Sequence, residues 1–147
     1  MIFEAFPEYR PRDFIFKIAT TRNELDGYWT LRRQVFCEEQ HVFQSGDDRD
    51  AIDDHAIPII CATLLAGMVD EVVGVVRIDQ REPRLWYGSR LCVNPAYRRL
   101  TEMSTSTSVR SHQPVYRGFG AIGAGLIYKA VSTANKIGCD RFLADVQ

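Results

Sequence analysis

Four glycines, Gly118, Gly120, Gly123 and Gly125, fall within eight residues, behind Arg117 and directly before an apolar helical stripe. This run over residues 115–127 constrains the chain more than any other stretch. Glycine reaches positive φ and lets main-chain N–H groups approach a ligand closely. A helix starting here adds unpaired N–H donors and a partial positive charge. Together they make a seat for phosphate. Upstream, residues 90–98 form an extended run stopped by Pro95. Strand, glycine-rich loop and helix in that order point to a cofactor held by its pyrophosphate. The plain alternative is a glycine-rich surface turn ahead of a core helix.

Other phosphate motifs fit less well. No Gly-Lys-Ser/Thr follows the glycines, which argues against a nucleotide-hydrolysing P-loop. Residues 118–123 read G-x-G-x-x-G. That fingerprint needs a βαβ unit with an acid about 20 residues on, at the end of the next strand. Asp140 is near that distance but starts its strand instead.

The remaining elements follow from periodicity. Residues 1–13 read as a lead-in, and residues 14–20 alternate as a strand. Thr21 and Glu24 make a capping box that opens a helix. Leu25, Tyr28, Trp29, Arg32, Val35 and Phe36 then keep helical spacing to about Gln40. Residues 45–55 are polar and acidic, a loop or a short second helix. Residues 58–65, 72–79 and 85–93 read as successive strands, turning near Gly67 and Pro83. Residues 100–114, rich in Ser and Thr without periodicity, read as a flexible insertion. Ile122, Leu126, Ile127, Ala130, Val131, Ala134 and Ile137 form a helical stripe closed by Gly138. Residues 141–146 are a last strand. The order βα(α)βββαβ predicts a mixed α/β fold, one domain over residues 14–147 around a central sheet.

Composition narrows the class. Hydrophobic residues make up 46% and charged residues 25% of the 147 positions, as in globular domains with a real core. A net charge of −1 argues against an electrostatic nucleic-acid binder. No apolar run approaches a membrane span, and the start lacks an apolar signal core. The expected location is the cytoplasm. Cys37, Cys61, Cys92 and Cys139 form no C-x-x-C pair, so no zinc site is expected, and they read as small buried apolar residues.

With Val93-Asn94-Pro95-Ala96-Tyr97-Arg98 the sequence resembles the GNAT superfamily of acetyl-CoA-dependent N-acetyltransferases, whose cofactor loop Arg/Gln-x-x-Gly-x-Gly/Ala is introduced by V-x-P-x-Y-R. Here residues 99–115 intervene before a second Tyr116-Arg117 restarts the pattern. Two registers one residue apart stay open. Either Gly118 takes the arginine's place with Ala121 and Gly123 at the small positions, or Arg117 leads with Gly120 in register and Ile122 at the last small position. Residues 31–40 resemble the L-R-x-x-V-F-x-x-E-Q helix of a GNAT subgroup, followed there, as at Asp50 and Asp53, by Asp-x-x-Asp. With residues 73–78 this is similar to GNAT-like domains encoded beside nitrilase-type genes.

The resemblance implies direct acyl transfer from acetyl-CoA, with no metal, to the amine of a small-molecule or peptide acceptor. It assigns the thioester to main-chain N–H groups at Leu91, Cys92 and Val93. The pyrophosphate falls to Arg117, Gly118, Phe119, Gly120, Ala121, Ile122, Gly123 and Ala124. Glu39 matches the subgroup's acid and is the candidate base, with a solvated helix-end carboxylate as the alternative. Tyr87 is the second catalytic candidate, with packing beside Trp86 as its alternative. His55 is a weaker one. The aspartates of residues 47–54 lack the EF-hand glycine and terminal glutamate, and read as a solvated acidic loop near a cationic substrate. GNAT domains continue with a further helix and a strand pair beyond the point matching Gln147. The usual acid, a tyrosine, lies there too. The expectation is therefore slow catalysis, and an open edge at residues 139–147 that pairs in a homodimer or with a further segment.

Two rivals remain. Acyl-homoserine-lactone synthases are similar in Arg32, Val35, Phe36, Asp50, Asp53, Ser89, Arg90 and Val93, but carry a glutamate where Gly88 stands. A non-catalytic CoA-sensing domain would bind CoA without turnover.

Overall fold

Local chemistry sets the first elements. Thr21 Oγ1 accepts from the Glu24 N–H at 3.2 Å, and Glu24 Oε1 accepts from the N–H groups of Thr20 and Thr21 at 3.1 Å each. This capping box opens α1 (Arg22–Arg32) directly after β1 (Asp13–Ile18). Lys17 Nζ lies 2.8 Å from Glu24 Oε2. Burial works to raise the Glu24 carboxyl, but the Lys17 hydrogen bond and those from the Thr21 and Thr20 backbone bring it down to about 2. Past Arg32 the helix widens. Residues 33–39 form a π-helix, in which the Gln40 N–H reaches back five residues to the Val35 carbonyl at 2.9 Å. Sequence periodicity had expected an unbroken α-helix here. Widened turns of this kind cluster at functional sites.

The computed structural model describes residues 13–98, 104–107, 114–117 and 122–144. After a single 3₁₀ turn at Ala51–Asp54, strands β2 (Ile57–Leu65), β3 (Met68–Glu82) and β4 (Leu85–Val93) run antiparallel. Ala66 and Gly67 join β2 to β3 with φ of 52° and 78°, as a two-residue I′ hairpin turn requires. Then come β5 (Ser104–Thr107), β6 (Pro114–Arg117), α2 (Ile122–Lys136) and β7 (Arg141–Ala144). The sheet order is β5-β6-β1-β2-β3-β4-β7, with β7 parallel to β4.

The expected order holds with one added hairpin, β5–β6, and with shifted limits, β3 above all running from Met68 to Glu82 where residues 72–79 were expected. Residues 104–107, assigned to a flexible insertion, form a strand paired with β6, and β6 pairs with β1. Threonine and serine carry no apolar alternation, so an edge hairpin of this composition shows no period-2 signal. Asp13, assigned to the lead-in, already belongs to β1. The last strand is described only to Ala144, where it stands at the sheet's edge.

Alternation divides the core between two faces. Phe14, Phe16, Ile59, Cys61, Val76 and Ile78 meet Ile122, Leu126, Ala130 and Ala134 of α2. Ile15, Ile60, Ala62 and Val75 meet Tyr28, Leu31, Val35 and Phe36 on the α1 side. Two glycines set the close approach of α2. A Cβ on Gly125 would stand 2.3 Å from the Phe16 ring, and one on Gly74 2.8 Å from Leu126. Gly125, counted with the phosphate-type run in the sequence, is therefore a packing glycine.

Candidate functional site

Strand β4 is the hub. Val75 pairs with Cys92 and Arg77 with Ser89, so β4 carries one more residue than β3 over that span. The extra residue makes a bulge at Arg90, whose φ is 55°. A non-glycine residue in this region is strained and is held by its surroundings. On its other side β4 pairs with β7 from Leu85 to Gly88. Leu91, Cys92 and Val93 follow the bulge.

The network holding Arg90 comes from three parts of the chain. Arg32, fully buried at the end of α1, donates to Asp48 Oδ2 at 2.6 Å and to both oxygens of Asp53 at 2.7 and 3.1 Å. Arg77 on β3 donates to both oxygens of Asp50 at 2.7 and 3.0 Å and to Ser89 Oγ at 2.8 Å. Arg90 donates to the Asp48 carbonyl at 3.0 Å and stands 3.3 Å from Asp50 Oδ2. Its guanidinium also lies over the Phe43 ring at 4.5 Å. Tyr28 Oη accepts from Arg32 at 3.0 Å, and burial pushes its phenol up to about 12. Burial also acts to raise the Asp53 carboxyl. Hydrogen bonds from Arg32 and the Asp50 N–H, with the positive charge of Arg32, outweigh it and bring Asp53 to about 2.

This network corrects the reading of residues 47–54 as a solvated loop at Asp48 and Asp53, while Asp47, Asp50 and Asp54 are exposed as expected. Asp48 is 1% and Asp53 7% exposed, because each lies against a buried guanidinium. The signal was present in the sequence: Arg32 falls in the helical stripe, and Arg77 interrupts the apolar run of β3. A charge at a core position needs a partner. His55 is exposed and outside this network.

The cofactor candidates divide. Val93 lies at the start of α2, where a Cβ on Gly123 would meet Val93 Cγ2 at 4.0 Å. Ile122 is buried against the sheet, and Ala124 follows in the first turn. So Leu91, Cys92, Val93, Ile122, Gly123 and Ala124 come together. Arg117 ends β6 opposite Asp13 of β1, five residues before α2 begins. Gly118, Phe119, Gly120 and Ala121 lie outside the described residues. Cys92 is buried, and burial pushes its thiol up to about 12, which leaves it neutral and a poor nucleophile.

Glu39 and Tyr87 stand at opposite ends of β4. Tyr87 is half-buried, paired with Asp79 on β3 and Leu143 on β7, with the Arg81 guanidinium 4.4 Å over its ring. Glu39 ends the π-helix in a two-pronged bridge to Arg98, at 2.5 and 2.8 Å. Arg98 in turn donates to the Val93 carbonyl at 2.9 Å. Tyr87 and Val93 are six residues apart on one strand, roughly 20 Å. Between α1 and the first half of β3 runs an open cleft of about 750 Å³, lined in part by Thr30, Gln34, Val72 and Asn94. It reaches the Val93 end of β4 through Asn94. Among the described residues no cluster of His, Cys, Asp and Glu could hold a metal ion, and no helix is long and apolar enough to cross a membrane.

No protein-family model matches the sequence, and neither does any curated protein. Solved structures do. One similar protein, from Lactobacillus plantarum, has 16% identity and a TM-score of 0.60 over 85% of this chain and 69% of that one. An acetyltransferase of the GNAT family from Staphylococcus aureus Mu50 has 11% identity and a TM-score of 0.56, over 90% and 73%. An acyl-CoA N-acyltransferase from Pseudomonas aeruginosa has 18% identity and a TM-score of 0.53, over 90% and 76%. At these identities the likeness is one of fold. A mixed sheet bulged in β4, with α2 crossing to a parallel β7, is here the GNAT acyl-CoA N-acyltransferase fold.

Proposed function

We propose that this chain is an acyl-CoA-dependent N-acyltransferase that moves an acetyl group from acetyl-CoA to a primary amine of a small-molecule or peptide acceptor. The observation that carries this reading is the conjunction at β4: a bulge at Arg90, with the start of α2 beside Val93. Residues 91–93 supply main-chain N–H groups to polarise a carbonyl oxygen. The first turn of α2 and the glycines before it supply N–H donors to phosphate. The bound acyl-CoA would bring an activated thioester. An alkylamine with a pKa of about 10.4 is protonated at neutral pH and must first lose a proton. Glu39 is the carboxylate at the Val93 end of the strand. Tyr87 at the other end is better suited to orient an acceptor than to share a proton with Glu39. Direct transfer is favoured over a cysteinyl intermediate because the Cys92 thiol is buried and neutral. Resemblance in residues 31–40 and 73–78 supports the nitrilase-associated subgroup, and a cytoplasmic location goes with this reading.

The test is titration of CoA and acetyl-CoA, followed by turnover on a panel of amines. Gly120→Val and Gly123→Val should each abolish CoA binding while circular dichroism stays that of the parent. If both variants bind CoA as the parent does, the phosphate assignment is wrong. Binding without turnover on any amine would favour a CoA-sensing domain.

A second reading has its own observation. The residues similar to acyl-homoserine-lactone synthases, Arg32, Phe36, Asp50, Asp53, Ser89 and Arg90, converge on one network around the bulge. That reading keeps acyl transfer and changes donor and acceptor. Acyl-homoserine-lactone production in place of amine acetylation would decide for it.

A further inference from the structure

Asp79 is a buried carboxylate that the network around Arg90 leaves out. It is fully buried on β3, where a charge needs hydrogen-bond partners. Only one of its oxygens has one. Arg81, two residues along the same strand, donates from Nε to Asp79 Oδ2. Oδ1 is buried and accepts no hydrogen bond among the described residues. Arg81 thus reaches Asp79 with one nitrogen, without the two-pronged geometry that guanidinium and carboxylate favour. Its guanidinium lies over the Tyr87 ring, 4.4 Å from the centroid, and its side chain is 40% exposed. Tyr87 is the cross-strand partner of Asp79 on β4, so the two side chains leave the sheet on the same face. A carboxylate beside an aromatic face is a seat for an organic cation, because charge and ring quadrupole attract it together. Here the protein's own Arg81 occupies that seat and fills it incompletely. The flank is also open. β2 pairs with β3 only as far as Ile57 opposite Ile78, so among the described residues 79–82 have a neighbouring strand on the β4 side alone.

We propose that Asp79 and Tyr87 form a binding site for a small organic ammonium, which enters by displacing the Arg81 guanidinium. A primary ammonium is a compact charge with three N–H donors, so it can bond both Asp79 oxygens while its alkyl chain lies along the Tyr87 ring. Arg81 then passes into solvent, where a guanidinium needs no protein partner. The buried carboxylate is never left bare, because one cation leaves as the other arrives. The inference goes beyond acyl transfer and does not rest on it. Tyr87 is near the start of β4, whereas Val93, beside the proposed donor seat, ends that strand.

The test uses n-butylammonium, tetramethylammonium and neutral n-butanol as probes, with no acyl donor present. Arg81→Ala empties the seat and leaves Asp79 without its cation, so the variant should melt below the parent. n-Butylammonium should bring its melting temperature back toward the parent's, and raise it by more than it raises the parent's own. Tetramethylammonium at the same concentration lacks N–H donors and should restore less, and n-butanol nothing. In an amide-resolved NMR titration, Arg81→Ala should bind n-butylammonium several-fold tighter than the parent, with shifts centred on residues 79–87. Adding Asp79→Asn should weaken that binding on the order of tenfold. Adding Tyr87→Leu should weaken it several-fold, whereas Tyr87→Phe, which keeps the ring, should not. If n-butylammonium neither restores Arg81→Ala nor shifts residues 79–87, the site is overturned. Equal restoration by tetramethylammonium would assign the effect to ionic strength, and unchanged binding in the Asp79→Asn variant would remove the carboxylate; each also overturns it. Where a variant fails to fold, the parent decides: shifts at residues 79–87 with n-butylammonium and none with n-butanol support the site, and no difference between the two overturns it.

Discussion

One continuous helical segment carries two arginine–carboxylate bridges that differ in almost everything but chemistry. At its middle, Arg32 meets Asp48 and Asp53 with 0%, 1% and 7% exposure. At its end, Glu39 meets Arg98 with both side chains more than a third exposed. The first bridge ties α1 to the acidic segment and, through Arg77 and Arg90, to the strained bulge of β4. The second touches only the end of β4. Identical groups at similar distances become a fixed brace in one place and an exchangeable contact in the other, because solvent competes for one and cannot reach the other.

Breaking the buried bridge should have the largest effect. Arg32→Ala takes one of two guanidinium partners from each of Asp48 and Asp53, which keep Arg90 at 3.3 Å and Arg77 at 3.0 Å, and should cost about 3 kcal/mol of stability. Chemical denaturation measures it. A loss below about 1 kcal/mol would mean that water enters the network, and the contrast would collapse.

Acid should give the next largest effect. Asp53 is held at about 2, from an ordinary value of 3.8. A depressed carboxyl contributes stability that is complete above its unfolded pKa and is lost as pH falls through its folded one. The loss should therefore develop between about pH 4 and pH 2 and amount to about 2 kcal/mol. Asp53→Asn should flatten that part of the profile. A profile in the variant as steep as the parent's would assign the acid sensitivity to another group; Glu24, also held at about 2, is the first to examine.

Breaking the exposed bridge should have the smallest effect on the fold. Glu39→Gln should leave the melting temperature within error of the parent at both low and high salt. A drop comparable to that of Arg32→Ala would make Glu39 a structural residue and erase the contrast between the two bridges.

Much of the fold is legible in the residue order. Alternation marks β1, apolar runs between turns mark β2 to β4, the Thr21–Glu24 box marks the start of α1, and the stripe ending at Gly138 marks α2. The candidate site is legible only in pieces. The glycine run points to the start of α2, yet it does not say that Gly125 is taken up by the Phe16 ring. Nor does it reveal that the second Tyr-Arg pair ends a strand paired with β1 while the first follows β4. Glu39 and Tyr87 both read as catalytic candidates, and nothing in their surroundings says that one strand's length separates them. The acidic stretch reads as solvated because it is dense in charge, while the partners of Asp48, Asp50 and Asp53 lie elsewhere in the sequence.

The division follows the range of the forces. Strand period, capping box, I′ turn and helix stop depend on contacts within about four residues and on backbone sterics, so residue order alone decides them. Partner choice does not work that way. Arg32 finds Asp48 across 16 residues, Arg77 finds Asp50 across 27, and Arg98 finds Glu39 across 59. A charge has no local preference among several opposite charges. Packing selects the partner by bringing one within reach and by deciding whether water remains between them. Whether an arginine here braces the fold or stays in a solvated bridge is therefore settled by burial, which exists only once the sheet and its two helices have come together.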